Sequence, residues 1–214
     1  MQIFIDTAQL EEIREAASWG ILDGVTTNPT LVAKSGKRLE DVIPMICEIV
    51  NGPVSAECIE MESLKMIPEA RKLAKIHPNV VVKVPLTLEG LKCVKAVSSE
   101  GIKTNVTLCF SAAQGMLAAK AGATYISPFV GRLDDLAHVG LEIVQELVTI
   151  YHNYGYPTQV LTASVRHPRH VIDAALMGSH VATIPFKILQ QLVKHPMTDI
   201  GVETFLKDYK NAQK

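Results

Sequence analysis

The stretch "NVVVKVP", residues 79–85, is too short for a helix, rich in β-branched side chains, and carries one lysine at its centre. Four valines in seven residues read as a strand buried on both faces. On either side the pattern changes to helical periodicity, with "ESLKMIPEARKLAKI" (62–76) before it and "LEGLKCVKAVSSEG" (88–101) after it. A buried strand between two amphipathic helices is the signature of a βαβ unit and a parallel sheet.

Working outward, short apolar runs of the same kind recur: "IFID" (3–6), "GVTTN" (24–28), "PVSAE" (53–57), "IKTNVT" (102–107), "ATYISP" (123–128), "TQVLTAS" (158–164) and "HVATIP" (180–185). With 79–85 they make about eight predicted strands. Between them lie helical segments at 8–20, 39–50, 111–122, 133–155, 168–178 and 186–193, several ending on a glycine suited to a left-handed C-cap (Gly20, Gly101, Gly122, Gly155, Gly178). Eight alternating units are what a (β/α)8 TIM barrel requires, although 214 residues is near the short end for it. The competing flavodoxin-like or Rossmann sheet usually has about five or six strands, so the count favours the barrel. No linker interrupts the chain, and a single barrel domain over 1–214 is expected, with residues 198–214 as a C-terminal helical extension that covers the barrel or docks on a neighbouring subunit.

Composition excludes several classes of function. The chain has 21 basic and 22 acidic residues, a formal net charge of -1, so no global field favours nucleic acid or a membrane surface. The four cysteines (Cys47, Cys58, Cys93, Cys109) form no CxxC pair and have no histidine at zinc spacing, which reads as reduced, buried thiols. His138, His167 and His170 lack an acid at ligand spacing, so no metal is expected, and "GILDGVTTNP" lacks phosphate-loop spacing. There is no basic-then-apolar leader at the N-terminus and no apolar run of membrane-spanning length, so a cytoplasmic protein is expected.

The chemistry lies in the parity of the strands. In a barrel, alternate side chains point inward, and the reactive face is at the strands' C-terminal ends. Reading back from those ends by twos gives Asp6, Thr26 and Asn28, Ser55 and Glu57, Lys83, Asn105 and Thr107, Tyr125 and Ser127, and Thr162 and Ser164. Seven consecutive strands thus present polar groups on one parity, while Ile5, Ala56, Val82, Val84, Val106 and Ile126 occupy the other; Thr27 and Ala163 fit less well. A single buried polar residue is usually no more than a satisfied hydrogen bond, but convergence at this rim points to a site. Lys83 is then an amine among Asp6, Glu57 and hydroxyls. It is either a structural ion pair or, when partly neutral, a nucleophile that condenses with a carbonyl to form a Schiff base. Arg132 in "SPFVGRLDD" and Arg166 in "TASVRHPRH", beside Ser164, follow the sixth and seventh strands, where barrels often bind phosphate. Asp134 or Asp135 is an alternative partner for Arg132.

These residues carry a resemblance over essentially the whole chain. "FIDTA", "GVTTNPTLV", "VSAE", "VVVKVPLT", "GIKTNVTLCFS", "GATYISPFVGRLDD" and "TASVRHPRHV", in that order, resemble the short subfamily of the transaldolase and fructose-6-phosphate aldolase group. The resemblance implies a (β/α)8 barrel with no metal or organic cofactor, in which Lys83 forms an imine with the ketose C2. It implies that Asp6 is the general base on the C4 hydroxyl, and that Glu57 and Thr107 hold the water used in proton transfer. Asn28, Asn105 and Ser127 would bind the dihydroxyacetone part, Thr26 and Phe129 complete the substrate-binding set, and Arg132, Ser164 and Arg166 would hold the phosphate. Glu57 and Phe129 are similar to the transaldolase branch, because the aldolase branch resembles glutamine and tyrosine at these positions. The implied reaction transfers a dihydroxyacetone unit between ketose and aldose phosphates, from sedoheptulose 7-phosphate to glyceraldehyde 3-phosphate. The alternatives are an aldolase that releases dihydroxyacetone and a sugar-phosphate binding protein without catalysis. Sugar phosphates are the expected partners, and the resemblance implies a homo-oligomer, a pentamer or decamer.

Overall fold

The computed structural model describes residues 1–213. Eight parallel strands close into a barrel in chain order: β1 (Gln2–Asp6), β2 (Gly24–Thr26), β3 (Val54–Glu57), β4 (Val80–Pro85), β5 (Thr104–Cys109), β6 (Tyr125–Pro128), β7 (Gln159–Thr162) and β8 (Val181–Ile184). Around it run α1 (Leu10–Ser18), α2 (Pro29–Lys34), α3 (Leu39–Ile49), α4 (Ser63–Ala74), α5 (Leu88–Ser98), α6 (Ala112–Ala121), α7 (Val130–Asp134), α8 (Glu142–Tyr154), α9 (Pro168–Leu176), α10 (Phe186–Val193) and α11 (Pro196–Ala212). The expected (β/α)8 barrel with an added C-terminal helix is the fold.

Two apolar layers hold it. The larger lies between strands and helices and contains Ile5, Ala56, Val82, Val84, Val106 and Ile126, the parity assigned to the helix side. The smaller fills the barrel and contains Phe4, Val81, Tyr125, Leu161, Ala163 and Val181. Phe4 and Tyr125 meet edge to face across it, with ring centroids 6.2 Å apart. This interior plug forms the floor on which the polar rim stands, since the next inward residue of each strand toward its C-terminus is polar in β1, β4, β6 and β8.

Three sequence expectations are corrected. Leu161 and Ala163, not Thr162, face the barrel interior: β7 pairs Gln159 with Tyr125 and Leu161 with Val181, which sets the opposite parity. Thr162 instead shares a 2.8 Å hydrogen bond with Ser179 outside the barrel. The single helix expected over 133–155 is two, α7 and α8. Asp134 Oδ1 accepts from Gly140 N at 2.8 Å, Ala137 has φ +61°, and a Cβ at Gly140 would lie 2.1 Å from Val130 O. That close approach breaks the helix although the apolar periodicity runs through it. Finally, α2 was missed: a short helix capped by Asn28, whose Oδ1 accepts from Leu31 N at 2.9 Å, with proline at its first position.

Candidate active site

Register brings the chemistry together. Glu57 lies opposite Lys83, and Lys83 opposite Asn105, so three neighbouring strands present their inward side chains side by side. Lys83 is 4% exposed. Its Nζ lies 3.0 Å from Glu57 Oε2 and donates to Thr27 O at 3.0 Å. The ammonium that a buried strand should not tolerate is therefore compensated by one carboxylate and one backbone carbonyl. It still faces open space, because it lines both cavities at this rim.

The first cavity, about 190 Å3, is bounded by Asp6, Thr26, Asn28, Lys83, Ser127, Phe129, Arg132, Ser164, Arg166 and Thr183. The second, about 390 Å3, adjoins it through Asn28, Lys83, Phe129 and Arg132 and adds Glu57, Thr107 and Leu108. Of the twelve candidate residues, eleven line one or both. The twelfth, Asn105, lies beneath them at 0% exposure: its Nδ2 donates to Ser55 Oγ at 3.2 Å, and its Oδ1 accepts from Ser127 Oγ at 2.6 Å. Asn105 thus takes the Ser127 hydroxyl hydrogen and leaves the Ser127 oxygen free to accept in the site.

Asp6 Oδ1 accepts from Thr26 Oγ1 at 2.7 Å. The barrel wall desolvates the Asp6 carboxyl and lifts it above its ordinary value, against the opposing pull of Lys83 and the Thr26 hydrogen bond. A carboxylate raised in this way is a better base. Thr26 Oγ1 is also 2.5 Å from Thr183 Oγ1. Since Thr26 gives its only hydrogen to the carboxylate, Thr183 donates to Thr26, forming a chain Thr183 to Thr26 to Asp6. Sequence reasoning missed Thr183; extending the same two-residue period to β8 would have found it. Thr107 Oγ1 is fully buried and has no protein partner, beside the cavity that Glu57 lines. Such an orphan hydroxyl is suited to hold a water.

The arginines take unexpected partners. Neither Asp134 nor Asp135 claims Arg132, whose guanidinium carbon sits 4.9 Å from the centroid of the Phe129 ring. Asp135 pairs with Arg166 at 2.9 Å instead, with both side chains more than half exposed. An exposed pair of this kind contributes little to stability. Ser164 reaches the cavity although it breaks the parity of β7, because its φ of +60° turns the chain inward just beyond the strand. A non-glycine residue held there stores on the order of 1 kcal/mol, a cost typical of functional loops. Among the described residues, no group of three or more His, Cys, Asp or Glu is placed to hold a metal ion. The four cysteines are free and buried, and burial pushes the Cys109 thiol up to about 12.

The class is that of closed (β/α)8 barrels whose C-terminal rim gathers a sequestered lysine amine, flanking carboxylates and two arginines. The family model described as Transaldolase/Fructose-6-phosphate aldolase matches residues 3–214, and the chain belongs to that family. A protein called "Probable transaldolase" from Caldicellulosiruptor saccharolyticus is 59% identical over 215 residues, covering 100% of this chain and 99% of its own. Another of that name from Sorangium cellulosum is 60% identical over 210 residues, covering 98% and 97%. Among solved structures, a mandelate oxidase variant superposes with a TM-score of 0.60 at 15% identity, over 86% of this chain but only 64% of that one, and is similar in fold alone.

Proposed function

We propose that the protein is a transaldolase acting through a Schiff base on Lys83. The observation that carries this reading is the Lys83 amine itself, 4% exposed, held by Glu57 and Thr27 O, and opening onto a cavity that also holds Asp6 and two arginines. The ketose C2 condenses with Nζ, releasing water. The protonated imine is an electron sink, so when Asp6 takes the C4 hydroxyl proton, the C3–C4 bond breaks and its electron pair is held as an enamine. Glu57, with a water bridged to Thr107, moves protons during imine formation and hydrolysis. Asn28, Ser127 and Thr26 hold the dihydroxyacetone hydroxyls, with Asn105 behind them, and Arg132, Ser164 and Arg166 take the phosphate. The donors are sedoheptulose 7-phosphate and fructose 6-phosphate, the acceptors glyceraldehyde 3-phosphate and erythrose 4-phosphate, as in the non-oxidative pentose phosphate pathway.

Phe129 favours transfer over release. Its ring borders both cavities beside Lys83 and has no hydroxyl with which to protonate the enamine, so the three-carbon unit waits for an acceptor aldehyde. A fructose-6-phosphate aldolase remains the second reading within the family. The protein is also proposed to be cytoplasmic and a homo-oligomer. The helix α11 buries none of its residues, and its exposed Val202, Phe205, Leu206 and Tyr209 fall at i, i+3, i+4 and i+7 on one face that a second copy would cover.

The test is borohydride reduction with fructose 6-phosphate, followed by peptide mapping. A three-carbon adduct on Lys83 is expected, together with transfer to erythrose 4-phosphate. An adduct on another lysine overturns the site, absence of any adduct overturns the mechanism, and free dihydroxyacetone without an acceptor favours the aldolase.

A further inference from the structure

Behind the two arginines lies a histidine that the proposed chemistry leaves unused. His170, on α9, is 5% exposed, and its Nε2 lies 3.0 Å from Asp134 Oδ2 at the end of α7. Its Nδ1 accepts from Arg166 N at 3.3 Å. One ring therefore ties the helix that carries Arg132 to the loop that carries Arg166. Because Nδ1 accepts, Nε2 bears the hydrogen and donates to Asp134, and the imidazole is neutral in a single tautomer.

The surroundings act in the same direction. Burial, then the neighbouring His167 at the helix cap, its ring centroid 3.8 Å away and tilted by 48°, lower the basicity of His170 against the opposing carboxylates of Asp134 and Asp173. His167 is itself fixed as the cap of α9, its Nδ1 accepting from His170 N at 3.3 Å. Asp134 is fixed from its other side, where Oδ1 accepts from Gly140 N. Between the two segments the backbones are in direct contact: Gly131 N donates to Ser164 O at 3.1 Å, and a Cβ at Gly131 would lie 2.2 Å from that oxygen and 2.6 Å from the Arg166 side chain. The rim at which Arg132, Ser164 and Arg166 converge is thus clamped from behind by a buried, fully paired imidazole. By contrast, the Asp135–Arg166 pair is exposed.

We propose that His170 and Asp134 are positioning residues that set the separation of Arg132 and Arg166, and so confer selectivity for phosphorylated over unphosphorylated sugars. The inference rests on the reading of these arginines as the phosphate site. A bidentate arginine contact depends steeply on geometry, so a small displacement of either loop weakens phosphate binding and leaves the reacting end of the sugar untouched.

The experiment compares fructose 6-phosphate with fructose as donor in His170→Leu and Asp134→Ala, with His170→Gln, which keeps a donor near the Nε2 position, as rescue. The expected result in Leu and Ala is a KM for fructose 6-phosphate raised about 10-fold or more, with kcat and the KM for fructose within about threefold of the parent, and partial recovery in Gln. Equal effects on both donors, or an unmoved KM for fructose 6-phosphate in Asp134→Ala, would overturn the proposal. Calorimetric binding of inorganic phosphate to the same folded variants keeps the test independent of turnover. Weakened binding supports the clamp even where no transfer is seen, and unchanged binding overturns it.

Discussion

Replacing Lys83 with methionine removes the ammonium with little change of volume and tests why a buried strand carries a charge. At 3.0 Å the pair with Glu57 is worth about 5 kcal/mol of attraction at an effective dielectric of about 20. Burying the two ions costs several kcal/mol each, so the intact pair contributes little net stability. Breaking it is different, because Glu57 is left as an unpaired carboxylate with its side chain 13% exposed. Lys83→Met is expected to cost about 3–5 kcal/mol. About 1 kcal/mol of that belongs to the lost hydrogen bond to Thr27 O, which does not depend on Glu57 and cancels in a double-mutant cycle. Lys83→Met combined with Glu57→Gln should therefore be more stable than the two single losses predict, by about 2 kcal/mol or more. Urea unfolding of the four proteins, compared by midpoint at constant slope, measures this coupling. A Lys83→Met protein as stable as the parent, with singles additive to within about 0.5 kcal/mol, would mean that the amine is solvated and that the account of the site is wrong.

Three further outcomes follow from the same geometry. Asp6→Asn should lower transfer by about 10²–10⁴-fold while leaving the Lys83 adduct trappable, because only the base is lost. Because the folded protein raises the Asp6 carboxyl from its reference of 3.8, the stability linked to it is complete at low pH and is lost as pH rises through the folded value. Asp6→Asn should thus melt higher than the parent near pH 7, with the gap closing in acid; a gap that widens in acid contradicts the assignment. Phe129→Tyr places a hydroxyl beside Lys83 and should release free dihydroxyacetone from fructose 6-phosphate without acceptor, about 10-fold or more above the parent; an unchanged release rate would separate Phe129 from enamine protonation. Thr183→Val removes the donor to Thr26 and should lower kcat/KM by about 10-fold and move its acid limb upward, with Thr183→Ser restoring both. A pH profile that superposes on the parent would make Thr183 merely structural.

Much of this was legible without coordinates, and for a local reason. Side-chain direction in a strand repeats every two residues, so Asp6, Glu57 and Lys83 could be assigned to one face from their own segments, and the count of eight units named the barrel. Glu57 and Phe129 pointed to the transaldolase branch only through the resemblance to the family. The failures share the opposite character. The parity of β7 hinges on which residue of β6 faces Gln159, a pairing between segments more than thirty residues apart. The break between α7 and α8 follows from the contact of Gly140 with Val130 O, which apolar periodicity cannot register.

The amino-acid order alone thus determined the alternation of elements, the inward placement of the lysine and the chemical inventory of the rim, since each follows from short-range periodicity and side-chain chemistry. Tertiary structure alone decided which groups meet. Closing β8 onto β1 set Thr183 against Thr26, the turn at Ser164 returned that residue to the cavity, and packing of α9 against α7 gave Asp134 to His170 and left Asp135 for Arg166. Ring closure and loop packing are long-range constraints that single strands and helices do not encode.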